Sequence, residues 1–167
     1  LKGSADIVAA DGKIDATVSA TGAIRNQAVD IQTNVVADHG AISLPSLKAQ
    51  IGPNNVSGAV TLGKDFLPSG KINFDLPDVA LLAAMAGQKA EGAIKGSADI
   101  ASADGKVDAR VTATGLIRNQ TIDIAANVVS DHGAISLPSL KADIGANTVT
   151  GALSLDKAFL PSGQFSF

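Results

Sequence analysis

The stretch Asp11-Gly12-Lys13-Ile14-Asp15-Ala16-Thr17-Val18-Ser19-Ala20 decides the fold class. From Ile14 onward apolar and polar residues alternate strictly, with Ile14, Ala16, Val18 and Ala20 on one side and Asp15, Thr17 and Ser19 on the other. Successive side chains of a strand point to opposite faces, so a period of two marks a β-strand with one apolar face. Asp11-Gly12 just ahead of it is a hairpin signal, because both central positions of the favoured two-residue turn need positive φ.

The same alternation continues outward. Val29, Ile31, Thr33 and Val35 alternate with Asp30, Gln32 and Asn34; Leu47, Ala49 and Ile51 alternate with Lys48 and Gln50. Val56, Gly58, Val60 and Leu62 follow, then Ile72, Phe74 and Leu76. Reversals are expected at Asn26-Gln27, Asp38-His39-Gly40 and Pro53-Asn54-Asn55, and Leu67-Pro68-Ser69-Gly70 has the residue placement of a type I turn. At Pro45 the apolar phase shifts from even (Ile42, Leu44) to odd (Leu47, Ala49, Ile51). An odd insertion that also lacks an N–H donor reads as a bulge or kink where the sheet bends.

This pattern occurs twice. Residues 1–74 return as residues 94–167 at an offset of 93 without a gap, and 51 of the 74 aligned positions are identical. The apolar positions return as Val107 and Val111; Ile122, Ile124 and Val128; Leu140 and Ile144; Val149, Leu153 and Leu155; and Phe165 and Phe167. Repetition at a fixed period marks an architecture that grows by stacking units. The expected fold is therefore all-β: an elongated, curled antiparallel sheet of about six strands per repeat. Repeat 1 covers 1–74, a helical linker 75–93 and repeat 2 94–167. The in-phase ends suggest an excised segment or an engineered repeat.

In the linker, Pro77-Asp78 through Ala86-Gly87 reads as a short helix, with Asp75 or Asp78 as its cap, Pro77 in its first turn and Gly87 at its end. It is apolar nearly all round, so it is expected to pack on the apolar sheet face as a plug, or to act there as a gate.

Composition narrows the function. Net charge is −3, with no basic stripe to meet phosphates, which argues against nucleic acid. Cysteine is absent, so neither a disulfide framework nor a thiolate metal site is available. Hydrophobic residues are 46% of the chain but aromatics only 3%, which suits a smooth aliphatic face better than a deep core. His39 and His132 each stand alone between Asp and Gly and read as turn residues. No nucleophile elbow and no phosphate-cradling loop is present, so neither an enzyme nor a bound cofactor is expected. Asp6, Asp15 and Asp30, with Asp99, Asp108 and Asp123, read as a solvated outer face.

The aliphatic face remains. Twelve strands about 4.8 Å apart span roughly 58 Å, and a sheet that size curls because strands twist. Curled around its apolar side, it becomes a trough that can hold hydrocarbon. Ile14, Val18, Val29, Ile31, Val35, Leu47, Ile51, Val56, Val60, Leu62, Ile72 and Phe74, with their twelve counterparts in repeat 2, are the expected lining. The alternative is that the two halves fold onto each other and bury this face as an ordinary core.

The segments Gly40-Ala-Ile-Ser-Leu-Pro-Ser-Leu-Lys-Ala49, Asn54-Asn-Val-Ser-Gly-Ala-Val60 and Leu67-Pro-Ser-Gly-Lys-Ile-Asn-Phe-Asp-Leu-Pro-Asp-Val-Ala-Leu-Leu-Ala83 resemble TamB-type proteins, the translocation and assembly module proteins of the AsmA-like group. The resemblance covers essentially the whole chain. It implies a β-groove (the "β-taco") with a hydrophobic interior, within a protein anchored in the inner membrane and crossing the periplasm. It implies a segment of a bridge that shields phospholipid acyl chains between inner and outer membranes, or one that helps outer-membrane proteins assemble with a barrel partner by strand pairing. A designed or consensus β-repeat scaffold without activity is the third reading. Exposed edge strands also lead us to expect edge-to-edge self-association.

Overall fold

The structure is a computed structural model that describes residues 2–157 and 160–167. The strands are β1 (Lys2–Ala10), β2 (Lys13–Ile24), β3 (Gln27–Asp38), β4 (Ala41–Ile51), β5 (Asn54–Leu62) and β6 (Pro68–Leu76). After the helix α1 (Val79–Met85) come β7 (Gly92–Ala103), β8 (Lys106–Ile117), β9 (Gln120–Asp131), β10 (Ala134–Ile144), β11 (Asn147–Leu155) and β12 (Pro161–Ser166). All twelve lie in one sheet in sequence order, each antiparallel to the next, and the sheet curls without closing.

The turns explain this simple order. Asp11 and Gly12 stand at φ 52° and 75°, and Asp104 and Gly105 at 52° and 78°, as a two-residue hairpin between twisted strands requires. His39-Gly40 and His132-Gly133 repeat that geometry. Each histidine thus serves as a turn residue, its Nδ1 against the carboxylate of the preceding Asp38 or Asp131. Two-residue links leave no chain for a crossover, so the strands they join must fold back beside each other, and the longer links at 63–67 and 77–91 keep the same order.

Several expected reversals move by a residue or more. The β2–β3 turn is Arg25-Asn26, both at positive φ, and Gln27 already pairs with Ile24. The β4–β5 turn is Gly52-Pro53, with Gly52 at φ 58°, so Asn54 and Asn55 belong to β5. The type I turn expected at Leu67–Gly70 is absent, because Pro68, Ser69 and Gly70 pair with Leu62, Thr61 and Val60. The chain reverses earlier, over Gly63–Leu67, where the Gly63 N–H donates to the Leu67 carbonyl at 3.1 Å and Phe66 takes φ 58°. Pro68 sits at the first position of its strand, which proline tolerates.

Pro45 marks a bulge, as its phase shift predicts. Asn34 opposes Ser46 but Val36 opposes Ser43, so two residues of β4 face one of β3. The same irregularity lies between Leu137 and Leu140. The extra residue restores the phase: Leu44 opposes Val60 and Ile42 opposes Leu62, on the same face as Leu47 and Ile51. Opposite the bulges, Asn34 Oδ1 and Asn127 Oδ1 are enclosed without a hydrogen-bond partner.

The two copies do not fold onto each other. Leu76 pairs with Ile94, Phe74 with Gly96 and Ile72 with Ala98, so β6 and β7 continue one sheet across the copy boundary. Among the described residues only Val29 and Ala142 are buried hydrophobics. Among the described residues no second sheet packs on the first to make a core.

Candidate functional site: an uncovered aliphatic face

The pairing registers carry the site from strand to strand. One row crosses all twelve: Ala5, Val18, Thr33, Leu47, Gly58, Ile72, Ala98, Val111, Ala126, Leu140, Gly151 and Phe165. Thr33 is its only polar member. A second runs Gly3, Ala20, Ile31, Ala49, Val56, Phe74, Gly96, Ala113, Ile124, Ala142 and Val149. Because the side-chain period is two and every register is matched, both rows lie on one face. The β6–β7 pairing keeps them unbroken between the copies.

Large and small residues neighbour each other along the rows. Phe74 reaches over Gly96, its Cζ 2.6 Å from where a β-carbon would stand, and Phe165 covers Gly151 in the same way. Covering a strand glycine with a cross-strand ring compensates for the packing the glycine lacks.

The expected lining residues fall on this face, with one exception in status. Phe167 follows the end of β12 and is fully exposed. Ile14, Ile144 and Phe165 are also exposed, while Val29 is only 4% exposed and most others are half-buried. Along β5 the division is regular: Val56, Gly58, Val60 and Leu62 are half-buried, and Asn55, Ser57, Ala59 and Thr61 are exposed. The face also holds residues that the sequence reading omitted: Ile42, Leu44, Ile94, Ile100, Ile135 and Leu137. Counting Pro45 and Pro138 as inserted residues would have found four of them.

α1 is fastened to the sheet beside Asn54 and is not a plug buried in the face, since none of the helix residues is buried. Asn54, 3% exposed and on the aliphatic face, holds the helix start twice. Its amide donates to the Asp78 carbonyl at 2.9 Å, and its Oδ1 accepts from the Asp78 N–H at 3.0 Å. The Asp78 carboxylate caps the helix by accepting from the Leu81 N–H at 2.9 Å. Pro77 therefore precedes the cap instead of filling the first turn. At the other end the Gln88 N–H donates to the Ala83 carbonyl and the Gly87 N–H to Ala84, with Gly87 at φ 71°, which is a Schellman ending. Arg25 donates to the Ala84 carbonyl at 2.8 Å, and Leu81 lies against Gly52.

The opposite face is polar and charged. Asp6, Asp15, Asp30, Asp99, Asp108 and Asp123 all register there. Lys71 pairs with Asp99 at 3.1 Å across the copy boundary, and Lys141 with Asp143 at 2.8 Å. The Lys141 hydrogen bond, with one from Thr148, holds the Asp143 carboxyl below its ordinary range, and Asp143 in turn raises the Lys141 ammonium. The His132 hydrogen bond lowers Asp131 likewise. These groups are solvated and project from the face opposite the aliphatic rows. Among the described residues no His, Asp and Glu side chains gather into a metal-binding group.

No family model, no curated protein and no solved structure matches this chain.

Proposed function

We propose that the aliphatic face is a bed for acyl chains, and that this chain serves as a segment of a periplasmic bridge carrying phospholipid between inner and outer membranes. The observation that carries the reading is the row of twelve residues, eleven of them apolar and none of them buried, that runs unbroken across the whole sheet. Backbone donors and acceptors are used by the strand ladder, so the surface offers hydrocarbon no unpaired polar group to desolvate. Each methylene removed from water contributes about 0.8 kcal/mol, so half of a sixteen-carbon tail gains roughly 6 kcal/mol. Such contacts are non-directional, and a tail can slide along the rows while its head group stays in water. The segment shields and guides; it performs no catalytic step. The resemblance to TamB-type repeats supports the same reading.

The test is titration of a fluorescent phospholipid into the chain. Saturable binding is expected. Val60→Asp and Leu153→Asp, which put charge on the aliphatic face beside the rows, should weaken it by more than about tenfold. Lys48→Ala on the polar face should leave it unchanged. No saturable binding, or equal binding by all variants that keep the strand circular-dichroism signal, would refute the proposal.

A further inference from the structure

We propose that β12 of one chain pairs with β1 of a second copy, in the register that β6 and β7 use within the chain. This rests on the junction between the copies and not on lipid binding. Among the described residues β1 and β12 are the outer strands, each paired on one side only, and every residue of both is exposed. The partner of β6 is β7, whose Lys95-Gly96-Ser97-Ala98-Asp99-Ile100 is identical to Lys2-Gly3-Ser4-Ala5-Asp6-Ile7 of β1. The segment Leu67-Pro68-Ser69-Gly70 that opens β6 recurs as Leu160-Pro161-Ser162-Gly163 before and within β12. The chain therefore presents, on its two edges, the two halves of an interface it already makes once.

Translating that interface by the repeat offset sets the pairing. Gly70↔Ile100 becomes Gly163 with Ile7, Ile72↔Ala98 becomes Phe165 with Ala5, Asn73↔Ser97 becomes Ser166 with Ser4, and Phe74↔Gly96 becomes Phe167 with Gly3. Phe167, fully exposed, would cover Gly3 as Phe74 covers Gly96; within the chain the atoms nearest a Gly3 β-carbon belong only to Ser19 and Ala20. Lys71 and Asp99 become Gln164 and Asp6, which keeps a donor opposite a carboxylate. β12 carries no charged side chain, so it lacks the usual protection of an edge against pairing. Pairing of unlike edges is heterologous and does not close, so it extends the aliphatic rows into a longer sheet.

The chain contains no cysteine, which makes cross-linking a clean test. Ser4→Cys and Ser166→Cys are prepared as separate variants and mixed under mild oxidation. The mixture should give a disulfide-linked dimer of one chain of each kind, at least about tenfold more than either variant alone. Ser4→Cys mixed with Gln164→Cys, two residues out of register, should cross-link about tenfold less, because diagonal neighbours lie too far apart for a disulfide. Phe167→Ala should weaken association of the unmodified chain about five- to tenfold in sedimentation equilibrium. Equal cross-linking by either variant alone would mean like edges pair and would overturn the proposal. So would a Ser4→Cys/Ser166→Cys double variant that closes its disulfide within one chain. A sedimentation mass that stays that of one chain from about 1 to about 200 µM, with no cross-link in the mixture, would also overturn it.

Discussion

Phe74 lies over Gly96, with its Cζ 2.6 Å from the position a β-carbon would take. The ring belongs to the last strand of one copy and the glycine to the first strand of the next, so this pair fastens the two copies together. A β-carbon at Gly96 would also press on the Thr112 carbonyl and the Ala113 backbone, which cannot swing aside as a side chain can. Gly96→Ala is expected to destabilise the chain by about 1–3 kcal/mol through overpacking. The equivalent Gly3→Ala, on the open edge, meets the Ser19 carbonyl only at 3.1 Å and should cost less than half as much as Gly96→Ala. Urea denaturation of the two variants checks this, and equal losses would show that the ring contact contributes nothing.

Asn54 and Asn147 are the same residue of the repeat, but only Asn54 holds a helix. Asn54→Ala leaves the Asp78 N–H and carbonyl without their partner and should cost about 1–3 kcal/mol. Asn147→Ala is expected to stay within about 0.5 kcal/mol, since Asn147 is exposed. Asp78→Ala removes the cap and should cost about 1 kcal/mol. Thermal denaturation of the three variants gives the ranking.

The bulge at Pro45 keeps the aliphatic face in phase. Deleting Pro45 turns Ile42 and Leu44 to the polar face, or Leu47, Ala49 and Ile51 if the slip runs the other way. Taking two or three of these half-buried side chains from their apolar neighbours should cost about 1–3 kcal/mol, measured by urea denaturation. A deletion variant as stable as the parent would show that register is not held by this face. The enclosed Asn34 and Asn127 oxygens lack partners, so Asn34→Val and Asn127→Val should be neutral or stabilising by up to about 1 kcal/mol each.

The Lys141–Asp143 pair sets a small pH dependence. Asp143 titrates below its ordinary value in the fold, so its contribution is fully present above the unfolded carboxylate pKa of about 3.9 and is lost as pH falls through the folded value. Asp131 acts in the same direction. Lys141 is raised, so its contribution is present below about pH 10.4 and is lost as pH rises through its folded value. NMR titration of the Asp143 carboxyl should place it below the ordinary range, and Lys141→Met should move it back up. A carboxyl that titrates normally in the parent chain would show that the ion pair does not persist in solution.

The amino-acid sequence alone determined the local features. Alternation at Ile14–Ala20 marked strands with one apolar side, Asp11-Gly12 placed a hairpin, and the phase change at Pro45 announced a bulge, because each depends on neighbours a few residues apart. The loop at Gly63–Leu67 was misplaced because Leu-Pro-Ser-Gly fits a turn and a strand start equally well, and the pairing with β5 chose the strand. Only the tertiary structure decided what the aliphatic face meets. Alternation tells which side chains share a face but is silent about what covers it, and the same pattern would serve two halves packed together. The choice came from β6 finding β7 across the linker, where Phe74 fits Gly96 and Lys71 meets Asp99, so that the two copies continue one sheet edge to edge instead of packing face to face.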